Sequence, residues 1–301
     1  MKIIAPNYYD RFRCIADKCK HNCCIGWEVN IDLLTLNKYE NLEGSLGEKL
    51  RANIVKEGGE AHFAMDEKSR CPFLKQDGLC EIICALGEQG LCNICADHPR
   101  WRNFFSSHIE MGLGLACEEA SRIILSQSDS AKFVTIKDGK VAGKQSLYEK
   151  WVIRRRDKLL SIATDRNYPV TDRVERIAKF AKVKPAGVTD FLAFVRGLER
   201  LDSYRDQLID AYENGSQRRK IGQIEAEQLL SYFLMRHLGG AESRRDFKNR
   251  VAFCLTSLAV ITAVYERTEY DLCEIARSYS AEIEYSFDNL YACIDYQGKK
   301  R

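Results

Sequence analysis

The chain is short of several features that would place it quickly. It has no long hydrophobic run: Val251 to Tyr265, the longest apolar stretch, is interrupted by Thr256, Ser257 and Thr262. That is less than the roughly 20 residues a membrane span needs, so a buried helix is expected there and no membrane association. The amino terminus, MKIIAPNYYDRFRC, has three apolar residues and then charge. It carries no apolar h-region or small-residue cleavage site, which argues against a secretory leader. Neither sign of charge dominates: 46 Lys and Arg face 43 Asp and Glu, a net of +3, which argues against a dedicated nucleic-acid binder. There is no internal repeat or low-complexity tract. Of five prolines only Pro169 and Pro185 lie beyond residue 130, both between helical stretches. With 45% apolar and 30% charged residues among 301, a globular chain of one large or two ordinary domains is expected, in the cytoplasm. Its oligomeric state is not legible.

What the sequence has is cysteine. Ten of thirteen lie in the first 117 residues, four of them between Cys14 and Cys24. Free cysteines are good small hydrophobes, but a core does not need four within eleven residues. In the cytosol thiols stay reduced, so metal binding or redox chemistry takes precedence over disulfides. Thirteen is odd, and adjacent Cys23 and Cys24 could pair with each other only under severe strain. Thiolates crowded at short, unequal spacings point to a bound metal or an iron–sulfur cluster.

The fold expected is mainly α in two domains. Residues 1–130 read as a loop-rich, cysteine-rich domain with short helices, one over Ile31–Tyr39 capped by Asp32 and one beginning near Glu118. Residues 131–301 read as an α-helical bundle, apolar positions recurring at three and four in LYEKWVIRRRDKLLSIA, VTDRVERIAKFAKV, FLAFVRGLERLDSYRDQLIDAY and the segments that follow. FVTIKDGKVAG, with its Asp138-Gly139 turn, signals a small β-hairpin at the joint. Residues 1–130 carry 15 basic and 19 acidic groups, and 131–301 carry 31 and 24. The surplus reads as solvated helix faces, or as a surface for an acidic protein partner.

Known cysteine patterns fit poorly. A zinc ribbon wants two Cys-x2-Cys knuckles, and only Cys92-x2-Cys95 qualifies. A radical-type Cys-x3-Cys-x2-Cys triad would need cysteine where Gly26 or Gly87 stands, and the bacterial ferredoxin run is absent. Cys92-x2-Cys95 also lacks the βαβ context of a thioredoxin site. What remains is a dispersed set: Cys14-x4-Cys19-x3-Cys23-Cys24 followed by Gly26-Trp27, then Cys71-Pro72-Phe73-Leu74, Gly78-Leu79-Cys80, Cys84, Cys92, Cys95, His98-Pro99-Arg100 and Cys117-Glu118-Glu119-Ala120.

Those segments resemble the flagellin lysine-N-methylase family and, more broadly, cysteine-rich zinc- or iron-chelating proteins. The motifs run from Pro6 to about Leu125, through FRCIADKCKHNCCIGWEVNID, CPFL, GLC, CADHPR and CEEASRIIL. LLSYFLMRHL is similar in character to the family's carboxy-terminal part. The resemblance implies a cytoplasmic protein-lysine N-methyltransferase. It would transfer methyl groups from S-adenosylmethionine to lysines of flagellin, or of another lysine-bearing protein, and contain an iron–sulfur cluster, 4Fe–4S in type, with zinc as the alternative metal. Carried over by position, the metal-binding cysteines would be Cys14, Cys19, Cys23, Cys24, Cys71, Cys80, Cys95 and Cys117. Cys84 and Cys92 fall outside the shared pattern. Two departures stand out: the family's Tyr-Pro-Arg is His98-Pro99-Arg100 here, and its Ser-Cys-Pro-Glu is Ala116-Cys117-Glu118-Glu119. Eight thiolates would serve two four-iron clusters, or one with spare structural cysteines.

Plainer roles stand beside these. Cys254, Cys273 and Cys293 occupy apolar helical positions and read as core. His21 and His98 lie beside cysteines and are either ligands or hydrogen-bonding imidazoles; His62, His108 and His237 read as structural. Trp27 and Phe73 read as aromatics covering the site, and Arg100 as either a salt-bridged residue or a partner of a cofactor's negative charge. Gly112-x-Gly114 has too few glycines for a dinucleotide fingerprint, so no Rossmann-type methyltransferase site is expected. Tyr8, Tyr9 and the Glu118-Glu119 pair are candidate proton acceptors for the substrate amine. The competing function is a non-catalytic zinc or iron protein, a metal carrier or redox sensor, with cluster-dependent electron transfer as a third.

Overall fold

The computed structural model describes residues 1–140, 143–201 and 204–299. In chain order come β1 (Lys2–Pro6), α1 (Leu33–Glu40), α2 (Gly44–Ala52), β2 (Ile54–Glu57), β3 (Glu60–Phe63), α3 (Glu81–Leu86), α4 (Asn93–Asp97), β4 (Arg100–Phe104), β5 (His108–Leu113), α5 (Glu118–Leu125) and β6 (Phe133–Lys137). The remainder is helical: α6 (Leu147–Ala163), α7 (Val170–Ala181), α8 (Val188–Arg196), α9 (Tyr204–Asn214), α10 (Gln223–Leu238), α11 (Arg244–Arg267), α12 (Leu272–Ile283) and α13 (Phe287–Lys299). The fold is mainly α, as expected.

The chain divides into two compact units at places composition does not mark. The smaller is Arg13–Pro99; the larger joins Met1–Phe12 to Arg100–Arg301. The boundary expected near residue 130 falls inside the larger unit. The physical reason is β1, which lies between β5 and β6 in a sheet of order β4-β5-β1-β6. It pairs in parallel with β5, Lys2 opposite His108 and Ile4 opposite Glu110, and antiparallel with β6. The first arm of the expected hairpin is thus β6, docked on the amino terminus; positions 141–142 of its second arm lie outside the described residues.

In the smaller unit, Val29, Ile31, Tyr39, Leu50, Phe63, Phe73 and Ile82 form the core with Cys71 and Cys92. β2 and β3 make a hairpin closed by Gly58 and Gly59, both at positive φ, as a two-residue type I′ turn requires. The outer edge of β3 is occupied by the chain before α1: Ile31 N–H donates to the Ala61 carbonyl at 2.7 Å, and Phe63 N–H to that of Val29 at 3.1 Å.

In the larger unit, α10 is buried continuously from Ala226 to Met235, and so sits centrally, against α11, α6, α5 and α7. Helix α6 opens with a capping box, Ser146 accepting from Glu149 N–H while the Glu149 carboxylate accepts from Ser146 N–H. Helix α11 is long and apolar enough to cross a membrane by length and composition, but 78% of its apolar window is buried within the protein. The periodic stretch FLAFVRGLERLDSYRDQLIDAY is not one helix: α8 stops at Gly197, its C-cap, and α9 begins at Tyr204.

The basic surplus is also not all solvated. Arg156, Arg173, Arg205, Arg250 and Arg277 are buried. Arg156 pairs with Glu110, Arg173 with Glu227 and Arg205 with Glu282, since a buried charge persists only when partnered.

Candidate metal centre

Short backbone links gather thiols in the smaller unit. Cys24 and Cys71 are adjacent, the Cys71 N–H donating to the Cys24 carbonyl at 2.8 Å, with a bridge between Ile25 and Arg70 beside them. Gly26 makes the turn at φ +99°, and its N–H bonds to the Ser69 carbonyl. Trp27 returns to the pair, its indole N–H donating to the Cys23 carbonyl at 2.7 Å. Leu74 bridges to Cys80, and Glu81 N–H donates to the Phe73 carbonyl at 2.8 Å, which sets Cys80 against the Cys71 turn. Cys80 is the N-cap of α3 and Cys92 that of α4, with Cys95 inside α4. Asp32 holds α4 in place: one carboxylate oxygen caps α1 through Thr35 N–H, and the other accepts Asn93 N–H at 2.9 Å.

The thiols act on one another. Cys24 hydrogen-bonds to Cys23, which holds Cys23 below the usual thiol range and pushes Cys24 far above it; burial and the charges of Cys71 and Cys80 push Cys24 the same way. Cys95 stands in the same relation to Cys92, with Cys24 and Cys23 also acting on it. Burial pushes Cys71 up to about 11, Cys80 and Cys92 adding to the shift while the amides of Phe73 and Leu74 bond to its sulfur and oppose it. Burial likewise raises Cys80, against amide hydrogen bonds from Ile83 and Ile82. Six thiols therefore act on one another, Cys23, Cys24, Cys71, Cys80, Cys92 and Cys95, and Cys84 acts on Cys80.

The donor chemistry of this group fits a thiolate-bound metal centre. Buried thiolates repel one another and lose hydration, and both penalties are relieved when a cation replaces the protons. Amide hydrogen bonds to sulfur add to that stabilisation and tune a bound group. The spacing, however, is not that of a closed single-ion site. Among the described residues no group of three or more His, Cys, Asp or Glu side chains is placed to hold one metal ion, whereas zinc draws four donors to about 2.0–2.3 Å.

The eight cysteines expected to bind metal are distributed unequally. Cys23, Cys24, Cys71, Cys80 and Cys95 are together. Cys14 is exposed in the same unit, and the Cys19 sulfhydryl donates to the His21 carbonyl at 3.2 Å. Cys117 belongs to the larger unit, as the N-cap of α5. Cys92, outside the family pattern, is in the group, while Cys84 is exposed one turn after Cys80. The sequence signal that favours Cys92 is its Cys-x2-Cys spacing to Cys95. His98 packs edge-on against Trp27, centroids 5.2 Å apart. Phe73 is core, its ring tilted against that of Phe63 with centroids 4.8 Å apart and Lys49 over it.

In the larger unit, Cys117 follows a turn held by a buried polar network that periodicity did not reveal. Leu115 N–H donates to the Tyr232 hydroxyl, which donates to Glu284 and accepts from Arg236, both at 2.7 Å. Glu284 also receives His237 at 2.5 Å and the Ser280 hydroxyl. Burial alone would raise the Glu284 carboxyl, but Arg236 and the hydrogen bonds of His237 and Ser280 hold it down at about 2. Among the candidate proton acceptors, Tyr8 is buried, its hydroxyl meets no partner, and burial pushes its phenol well above the usual range. Tyr9 accepts from Arg100 at 2.9 Å, and Arg100 also lies over the Phe12 ring. Glu119 is paired with Arg122. Gly112 lies under the Trp101 ring, where a Cβ would come within 2.2 Å of it; that close approach, not a phosphate loop, explains the glycine. Among the described residues the four-stranded sheet pairs β1 with β5 in parallel and is otherwise antiparallel.

Comparison with known proteins bears out the resemblance. The chain is 26% identical over 134 residues to a lysine-N-methylase of Salmonella typhimurium, covering 42% of this chain and 33% of that protein. It is 26% identical over 134 residues to the flagellar biosynthetic protein FliU of Salmonella muenchen, covering 42% of this chain and 79% of that protein. No family model matches, and no solved structure does. The match thus spans about a third of the length of the lysine-N-methylase, and over that stretch this chain is similar to lysine-N-methylases and to FliU.

Proposed function

We propose that this chain is a protein-lysine N-methyltransferase that uses S-adenosylmethionine, acts on lysine side chains of flagellin or a related protein, and carries an iron–sulfur cluster in the thiol group of its smaller unit. The observation that carries the reading is the coincidence of two things. Two of the relatives it matches are lysine-N-methylases, and backbone links in the smaller unit bring Cys24 beside Cys71 and Cys80 against the Cys71 turn. The centre belongs in a reducing compartment such as the cytosol.

The chemical problem is a lysine with a pKa near 10.4 that must lose its proton before it attacks a methyl sulfonium. Desolvation and nearby positive charge both lower an amine's pKa. A bound cluster would supply a fixed point to orient the sulfonium cofactor. Tyr8 is a poor base, because its phenol stays protonated at neutral pH.

The test is co-expression with flagellin, followed by mass spectrometry of flagellin lysines. Methylated lysines are expected with the wild-type chain and not with Cys23→Ser/Cys71→Ser. Unmethylated flagellin beside a fully metallated wild-type protein would overturn the methyltransferase reading in favour of a metal carrier or sensor. Tight zinc without acid-labile sulfide would overturn the cluster.

A further inference from the structure

The basic side chains of the larger unit that are not buried form rows on α6. Lys150, Arg154 and Lys158 recur every four residues, so they stand above one another on one face, and all three are exposed. The row spans two turns, about 12 Å. Leu147, Trp151 and Arg155 make the adjoining row, with Leu147 86% exposed at the start of the helix. Trp151 joins this face to α11. Its ring packs edge-on against Phe247, centroids 5.0 Å apart, and two guanidinium groups lie over it, Arg155 at 5.8 Å and Arg244 at 5.4 Å. Arg155 also lies 5.0 Å from the Phe180 ring of α7. Lys248, half-buried, follows Arg244 by one turn.

These cations are uncompensated. Among the described residues none of the six pairs with a carboxylate, because the acids of α6 and of the first turn of α11 are engaged elsewhere. Glu149 accepts from the Ser106 and Ser146 amides, Asp157 pairs with Arg156, and Asp246 with Arg250. Glu242, exposed just before α11, offsets one charge at most. An aromatic ring holds a guanidinium without neutralising it, so Arg155 and Arg244 keep their charge on either arm of the face. Like charges gathered this way repel one another, and an anionic surface laid over them removes that cost.

We infer that this face of α6 and α11 docks an acidic protein segment, its carboxylates meeting the cation rows and its apolar side chains meeting Leu147 and Trp151. Tryptophan and arginine are the residues that protein interfaces concentrate at their centres. Nucleic acid suits the face less well: the Trp151 ring is already covered by guanidinium groups, where a stacking platform leaves its ring to the base, and the whole chain carries a net of only +3. A membrane surface would need a broader apolar face than one exposed leucine supplies. The inference stands apart from the methyltransferase reading and from the thiol group, and uses the larger unit alone.

The test is titration of the full chain with poly-L-glutamate at low salt, followed by tryptophan fluorescence and by surface binding. Binding should change the fluorescence, and Trp151→Phe should remove that change although Trp27 and Trp101 remain. Arg154→Glu/Lys158→Glu should weaken binding about tenfold or more, chiefly through slower association that salt suppresses. Both sites are exposed, so folding should be intact by circular dichroism. Lys38→Glu/Lys68→Glu, which changes net charge equally on exposed sites of the smaller unit, should bind as the wild type does. Equal losses in the two double variants would overturn the inference, since overall charge and not this face would then hold the polymer, and a fluorescence change that survives Trp151→Phe would place the contact elsewhere. Parallel titrations with oligothymidylate and with phosphatidylserine vesicles decide the class of partner: tighter binding to either, abolished by Arg154→Glu/Lys158→Glu, would overturn the acidic-protein assignment.

Discussion

The hydroxyl of Tyr232, in the middle of α10, accepts the backbone N–H of Leu115 at 3.2 Å. Leu115 stands two residues before Cys117, in the turn where Cys117 N–H donates to the Gly114 carbonyl. A side chain on the central helix thus fixes the backbone that presents this cysteine. Its own orientation is set by Glu284 and Arg236.

Replacing Tyr232 with Phe should therefore cost stability and loosen the Cys117 turn. It leaves a buried amide and a buried carboxylate each short of a partner, worth about 1–3 kcal/mol per unsatisfied group. Urea unfolding should show a lower midpoint with unchanged slope. Alkylation of Cys117 should accelerate at urea concentrations below the transition. An unchanged midpoint would mean that water replaces the hydroxyl without loss.

Glu284 predicts an acid limb. Its carboxyl is held at about 2 in the fold, whereas an unfolded glutamate titrates near ~4.3. Between those values the unfolded chain binds the extra proton, so stability falls with falling pH. The contribution, about 3 kcal/mol, is complete above about pH 5 and is lost as pH falls through about 2. His237 is also held below its usual range, by burial first, which extends the loss upward. Glu284→Gln should flatten this limb in unfolding curves measured from pH 6 to pH 3, at the cost of lower stability at pH 7.

The reach of sequence reading follows from the range of the interactions concerned. Helices α5, α6 and α10 were legible because apolar periodicity is local, and Glu118 marks the start of α5 within a turn. The unit boundary was not, since β1 pairs with β5 more than a hundred residues away, and three apolar residues do not announce that partner. The β2–β3 hairpin was legible in principle from Gly58-Gly59. In the site, the cysteines' identity was visible, but their grouping depended on contacts such as Cys24 with Cys71, which spacing cannot encode. Buried Glu110, Glu227 and Glu284 left a weaker trace, as carboxylates within otherwise apolar strand or helix patterns.

Arg156 and Glu110 make a contrasting prediction, because both are essentially inaccessible and bonded to each other. Arg156→Ala should be severe, about 3–5 kcal/mol, since it strands the Glu110 charge. Replacing both at once, Arg156→Met with Glu110→Leu, should recover most of that loss, because the desolvation cost disappears with the pair. Thermal unfolding of the two variants checks this; a double variant as unstable as the single one would show that His108 and Asn103, which also bond to Glu110, depend on the carboxylate for their own placement.

Asp32 joins helix capping to the thiol group. One carboxylate oxygen caps α1 and the other holds Asn93 N–H at the start of α4, between Cys92 and Cys95. Asp32→Ala should cost about 1 kcal/mol or somewhat more from the lost cap. The second effect tests the link to function, since freeing the first turn of α4 loosens two thiols together. Loss of an outer partner at a metal site typically weakens retention about 10–100-fold, so with the proposed cluster bound, iron should leave the Asp32→Ala protein faster than the wild type under chelator challenge. Asp32→Asn, which keeps one acceptor oxygen, should fall between them. Equal rates for all three, with the stability loss intact, would confine Asp32 to the α1 cap and leave the placement of Cys92 and Cys95 to the core around Tyr39 and Ile82.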